Sequence, residues 1–347
     1  MWKMNQIERE DLEAARSDPA IDWDSLKEKT VLITGATGLI GQVLIKTLLY
    51  CGCGQVIALV RDVQKAEKLF ALQTGAGCPL TFYRWSAEQP VAVKESVDYI
   101  FHCASQTSSQ GFVQTPVDTI HTAYMGTEHI LSFARAKNVK HVVYLSTMEV
   151  YGTPQNDEKI SESYVGRIDP LNVRSCYPES KKLCESLCVG YGVQHQVPVS
   201  IARLTQTFGP GISAADGRVF AEFARCVLQK RDIVLHTKGE TKRNYLYTAD
   251  AARALITLAL KGQGGQAYNI ANEATYCTIY EMAQMVAHEI AKGAITVCVE
   301  LAEDLNKFGY APVLHMNLDT EKMCRLGWQP QVGLCDMFRR MIAAFDN

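Results

Sequence analysis

The stretch GATGLIG, residues 35–41, constrains this chain more than any other. The apolar run TVLIT before it reads as a buried strand, and LIGQVLIKTLLYC after it carries apolar residues at helical spacing. In that setting the three glycines have separate tasks. Gly35 permits a tight turn, Gly38 lets the backbone approach a pyrophosphate, and Gly41 lets the helix pack close to the strand. The helix N-terminus then presents free N–H groups and a positive dipole end to phosphates. Gly35, Thr37, Gly38, Leu39, Ile40 and Gly41 are therefore the expected phosphate cradle of a dinucleotide. The alternative, a purely structural glycine turn, would not require a strand before it and a helix after it.

The chain continues in alternation. QVIALV reads as a second strand, VDYIFHCAS as a later one, TEHILSFARAKN as a helix and HVVYLS as another strand. Alternation of this kind implies βαβ units around a parallel sheet. The expected fold class is α/β, with a Rossmann-type doubly wound parallel sheet spanning residues 30–205. Residues 1–29 read as an acidic helical extension. From 206 to 347 the texture changes: GPGISAADGR carries turn residues, and helices VFAEFARCVLQK and ADAARALITLAL mix with strands DIVLH and QAYNIA. This predicts a smaller mixed α/β substrate-binding region, with parts of about 243–272 returning to the sheet.

Composition removes several function classes. A formal net charge of −2 gives no electrostatic case for nucleic acid or an anionic membrane. The apolar runs are too short to span a bilayer, and the N-terminus is charged where a signal peptide is apolar. The twelve cysteines lie in core-like contexts. Neither CGC at 51–53 nor the Cys184/Cys188 pair has a second half that completes a zinc site, so no metal is expected. Free thiols in a reducing cytosol are the expectation, and with them a cytoplasmic location.

The second strand should end in a group that reads the adenosine ribose. The sequence there is ALVRD. Val60 stands where an NAD-type acid would be, Arg61 could pair with a 2′-phosphate, and Asp62 remains as a ribose acceptor. Arg61 tips the expectation from NAD toward NADP. Both charges could instead be solvated turn residues.

STMEVYG, residues 146–152, sits where the strand HVVYL ends, and strand ends are where open α/β sheets bind ligands. YPESK places Tyr177 and Lys181 four residues apart, on one helix face. An ammonium beside a phenol favours the phenolate and brings it toward neutral pH as a base. Thr147 at the strand end completes the constellation.

These motifs carry a resemblance. TGATGLIG, FHCAS, LSTMEVYG, YPESK, RLTQTFGPG, RNYLYTADAARAL, GQAYNIANEA and LGWQP occur in the order seen in the extended short-chain dehydrogenase/reductase family of nucleotide-sugar epimerases and dehydratases. The resemblance runs from residue 30 almost to the end. It implies that Tyr177, helped by Thr147, takes a proton from a sugar hydroxyl while hydride leaves the same carbon. The product is a 4-keto sugar, and the hydride later returns, which suits a tightly held cofactor. It also implies that Cys103, Ala104 and Ser105 of FHCAS, together with Lys181, lie against the cofactor.

In 4,6-dehydratases of the family the threonine is followed by an aspartate and a glutamate. Here Met148 replaces the aspartate and cannot donate a proton, while Glu149 remains, so dehydration by that route is not expected. TMEVYG, SESYVGRIDPLNVRSCYPESKK and ADGRVFAEF are similar to UDP-glucuronate decarboxylases, including an arginine three residues before the tyrosine, here Arg174. The substrate contacts implied are Ser146, Met148, Arg174, Gln206, Arg218 and Arg243. Gln206 stands where an asparagine is usual, so the substrate could differ from UDP-glucuronate. The expected partner is a nucleotide sugar, and the expected assembly a homodimer. Decarboxylation and 4-epimerisation both fit. An NADPH-dependent reductase of a keto sugar or small carbonyl compound is the alternative supported by Arg61. A non-catalytic dinucleotide sensor is disfavoured, because Thr147, Tyr177 and Lys181 are all present.

Overall fold

The computed structural model of the protein describes residues 4–73, 77–213, 215–301 and 313–345. Its strands are β1 (Thr30–Thr34), β2 (Gln55–Val60), β3 (Leu80–Arg84), β4 (Tyr99–His102), β5 (His141–Thr147), β6 (Val199–Leu204) and β7 (Gln206–Phe208). They continue with β8 (Ile233–Leu235), β9 (Lys242–Tyr247), β10 (Gln266–Ile270), β11 (Asn272–Thr278), β12 (Val297–Val299) and β13 (His315–Met316). The helices are α1 (Gln6–Arg16), α2 (Leu39–Tyr50), α3 (Val63–Leu69), α4 (Ser109–Gln114), α5 (Pro116–Lys137) and α6 (Cys176–His195). After them come α7 (Val219–Gln229), α8 (Thr248–Lys261), α9 (Ile279–Met285), α10 (Glu321–Cys324) and α11 (Leu334–Phe345).

Seven strands form one parallel sheet in the order β3-β2-β1-β4-β5-β6-β10. The chain winds outward from β1 to β3, then reverses at β4, so the switch point lies between β1 and β4. Side chains alternate across the sheet. Val31 and Ile33 face α2 and α8, packing with Leu44, Leu48, Leu255 and Leu258. Leu32 faces the other way, with Ile130 and Leu131 of α5 and Cys184 and Cys188 of α6. Burial on both faces explains why β5 is apolar from Val142 to Leu145.

Helix α5 is longer than the 127–138 run that TEHILSFARAKN suggested. Pro116 opens it, with its backbone angle already set for a helix, and Asn138 closes it in the left-handed conformation at φ 52°. The helical part of residues 4–29 is α1, with a short 3₁₀ turn at Asp24–Leu26.

β10 completes the main sheet and α8 packs against it, whereas β9, just before α8, belongs to a second sheet. There β7 and β13 pair with it in parallel and β11 antiparallel. A second core sits under that sheet, where Phe208 stacks on Phe220 at 4.5 Å and meets Phe338 of α11. No helix among the described residues is long and apolar enough to cross a membrane.

Candidate active site

A cleft of about 600 Å³ opens at the C-terminal ends of β1, β4 and β5, where an open α/β sheet binds ligands. Its floor is the glycine turn. Gly35 has φ +64°, and a Cβ on it would lie 2.8 Å from the Ala104 backbone N. A Cβ on Gly41 would lie 2.3 Å from the Gly35 carbonyl oxygen, so only glycine lets α2 sit this close. Gly38 caps α2 without any side-chain hydrogen bond, and no acidic residue occupies the first turn. The first N–H groups of α2 are thus open to an anion. The residues present therefore fit a dinucleotide pyrophosphate.

All but three of the residues expected at the site line this one cleft. Gly35, Thr37, Gly38, Leu39, Ile40 and Gly41 lie at one end with Cys103, Ala104 and Ser105, and Arg61 stands at the edge beyond β2. Ser146, Thr147, Met148, Glu149, Tyr177, Lys181, Gln206 and Arg218 line the rest.

Three expected contacts are placed elsewhere. Asp62 does not line the cleft; its carboxylate caps α3, accepting the Lys65 N–H at 3.0 Å. A short acid just before a helix is taken by the helix's own orphan donors. Arg174 also stands outside the lining. Its Nη1 and Nη2 donate to Glu149 at 2.7 and 3.2 Å, a two-pronged ion pair. Arg243 lies on β9 opposite Cys277 and Met316, and its buried Nε has no hydrogen-bond partner among the described residues.

The tyrosine environment departs from the expected one. Tyr177 is buried, and burial together with the nearby Glu149 charge pushes its phenol well above the usual range. The Thr147 side chain and the Arg174 guanidinium pull in the opposite direction. Lys181 does not act on the phenol directly. Its ammonium is buried, which lowers its pKa, and Nζ donates to the Leu145 carbonyl at 2.7 Å, 4.8 Å from the Tyr144 ring centroid. A four-residue spacing puts two side chains on one helix face, but a buried ammonium turns to the acceptor that satisfies it.

Met148 is buried at the strand end, its sulfur accepting from Thr205 Oγ1 at 3.3 Å. Arg218 pairs with Asp216 at 2.6 Å and lies 4.8 Å over Phe220. His102 has threonine hydroxyls at both ring nitrogens, Thr34 at 2.8 Å and Thr127 at 3.3 Å, and burial lowers its pKa to about 3.

Sequence reasoning missed a network behind the site. Ser146 Oγ donates to Glu185 at 2.5 Å, and Arg203 holds Glu185 at 2.6 and 3.0 Å. Arg203 also donates to the Tyr151 hydroxyl at 2.9 Å, which donates to Asn269 at 2.7 Å. Two signals were present: Glu185 continues the 177–181 helix face, and Arg203 is a charge inside the apolar strand VSIARL. Phe112 was missed as well. It stacks on Tyr177 with ring centroids 4.3 Å apart.

Residues 31–271 match the profile of the NAD dependent epimerase/dehydratase family. The chain is similar to UDP-glucuronic acid decarboxylase 6 of Arabidopsis thaliana, 31% identical across 88% of this chain and 85% of the relative. Its fold is similar to that of the UDP-glucose 4-epimerase of Thermotoga maritima, solved with UDP-glucose. The TM-score is 0.75 at 21% identity, covering 91% of this chain and 98% of the other. It is also similar to the Thermus thermophilus UDP-glucose 4-epimerase solved with NAD, at TM-score 0.73 and 24% identity, covering 92% and 99%.

Proposed function

The chain belongs to the NAD-dependent epimerase/dehydratase family, and on that premise we propose that it converts a nucleotide sugar through a transient 4-keto sugar. Decarboxylation of a nucleotide-linked uronic acid is the preferred reaction, because relatives at about this identity carry that name. The observation that carries the reading is the position of Glu149. It lines the cleft beside Thr147 and Tyr177, two-pronged on Arg174, where a simple carbonyl reductase needs no second acid/base.

A bound nicotinamide supplies reversible hydride acceptance and, when oxidised, a positive charge. Tyr177 holds the proton of the sugar 4-hydroxyl, and Thr147 orients that hydroxyl. Lys181, fixed by the Leu145 carbonyl, presents its ammonium to ribose hydroxyls. Once carbon 4 is a ketone, a carboxylate on carbon 5 is β to it, and its carbon–carbon bond breaks as carbon dioxide leaves. The Glu149–Arg174 pair then governs delivery of the replacing proton to carbon 5. Buried Met148 next to it offers no proton for a dehydration.

The test is redox balance. Enzyme carrying its own cofactor is incubated with UDP-, dTDP-, GDP- and CDP-sugars, uronic acids included, with mass spectrometry of products and reduced-nicotinamide absorbance followed together. Many turnovers with loss of carbon dioxide are expected. An isomer of unchanged mass would make it an epimerase, and stoichiometric use of added NADPH would make it a reductase.

That reductase reading has one observation in its favour, and it concerns the cofactor. Arg61 and Lys65 both line the cleft beyond β2, while Asp62 is occupied as a cap. This supports NADP over NAD. Arg61→Ala is expected to weaken NADP binding by about 1.5–3 kcal/mol while leaving NAD within a factor of about two. Calorimetric titration of both cofactors checks this; equal effects on the two would make Arg61 an idle turn residue.

A second copy of the chain is the proposed occupant of an apolar stripe on α5, where Val117, Ile120 and Tyr124 are 59%, 39% and 41% exposed. A twofold axis would set this face against the same face of the second copy. Sedimentation velocity should give a dimer, and Ile120→Glu a monomer. The twelve free cysteines suit a reducing cytosol.

A further inference from the structure

Phe112 sits on α4, a six-residue helix between the Ser105 end of the cleft and α5. Its side chain is 2% exposed although its neighbour Val113 is 56% exposed. Three contacts hold it. Its ring stacks on Tyr177 with centroids 4.3 Å apart and planes 10° from parallel. The Arg174 guanidinium carbon lies 5.7 Å from its ring centroid. Its carbonyl accepts the Cys176 thiol at 3.2 Å. All three partners belong to residues 174–177, the stretch that delivers the tyrosine to the site.

We propose that Phe112 is a positioning residue: its ring fixes the plane of the Tyr177 phenol, keeps water from one of its faces, and aims its hydroxyl at Thr147. The inference rests on Tyr177 as the proton-transfer group. A tyrosine ring turns about two side-chain bonds, and a flat partner on one face removes most of that freedom. Misplacement of about 1 Å in a reacting group can cost on the order of a hundredfold in rate. The same ring excludes water, and burial is the largest cause of the raised phenol pKa. Removing the ring therefore loosens the geometry and stabilises the phenolate, two effects with different signatures.

The test compares Phe112→Ala, Phe112→Leu and Phe112→Tyr. Ala and Leu are expected to lower kcat by about tenfold or more with KM within about threefold, and Tyr to restore most of it. With tyrosine isotopically labelled at Cζ, the Tyr177 resonance, assigned by its loss in Tyr177→Phe, should titrate at lower pH in Phe112→Ala and not in Phe112→Tyr. Leu keeps apolar volume without a ring, so a low kcat in Leu with an unchanged melting temperature separates positioning from packing. Wild-type kcat and an unmoved resonance in both Ala and Leu would overturn the proposal, as would equal losses in Tyr and Ala. The resonance needs no substrate. If Tyr177→Phe kept its turnover, the reading of the reaction would fail while the titration still judged Phe112.

Discussion

Tyr177→Phe is expected to lower turnover by about three orders of magnitude, the middle of the range for removal of a proton-transfer group. The substitution removes one oxygen and leaves the ring stacked on Phe112. Neither the glycine turn nor the Lys181–Leu145 contact depends on that oxygen, so cofactor affinity should stay within a factor of about two. The lost oxygen, as the phenolate, is the acceptor for the sugar proton, so the deficit should lie in kcat rather than KM. Single-turnover measurement of nicotinamide reduction, with a cofactor titration alongside, checks both halves. Turnover near that of the unaltered enzyme would remove Tyr177 from the mechanism.

The largest loss of stability is expected from Arg253→Leu. Arg253 is 1% exposed and lies between two buried carboxylates, Asp18 and Asp250. It also donates to the Gln329 carbonyl at 2.9 Å. Asp250 in turn accepts the backbone N–H groups of Gln331 and Val332, each at 3.0 Å. Taking away the cation leaves two acids in the core without a counter-charge, which costs about 3–5 kcal/mol. Chemical denaturation of the variant beside the unaltered protein checks this; a difference below about 1 kcal/mol would remove Arg253 as a structural anchor.

What could be read from the sequence was what local geometry demands. Glycines 35 and 41 announce themselves because a Cβ at either would meet backbone, 2.8 Å from the Ala104 N at the first and 2.3 Å from the Gly35 carbonyl oxygen at the last. The alternation of buried runs pointed to a parallel sheet for a related reason: a strand covered on both faces has little room for polar residues. Contacts that depend on choice among partners were not legible. Spacing put Lys181 on the face of Tyr177, yet the Leu145 carbonyl took its ammonium. Asp62 looked like a ribose acceptor and became a helix cap. Phe112 lies in QTSSQGFVQT, which has no periodicity to mark it. The first half of α5 was missed because its exposed Val117, Ile120 and Tyr124 blur the stripe that identifies a helix packed on a core.

The attachment of α1 bears on the order in which the molecule can assemble. Glu8 reaches Lys46 of α2 at 2.7 Å, but Asp11 accepts from Tyr247 and Arg340 at 2.7 and 2.9 Å. The Asp11–Arg340 contact joins residues 329 positions apart. Closing a flexible loop of that length costs about 5 kcal/mol in chain entropy, before any constant term. No single surface ion pair repays that. The Asp11–Arg340 contact therefore forms only after the intervening chain has folded and brought β9 and α11 within reach, so during synthesis α1 waits for the last of its partners.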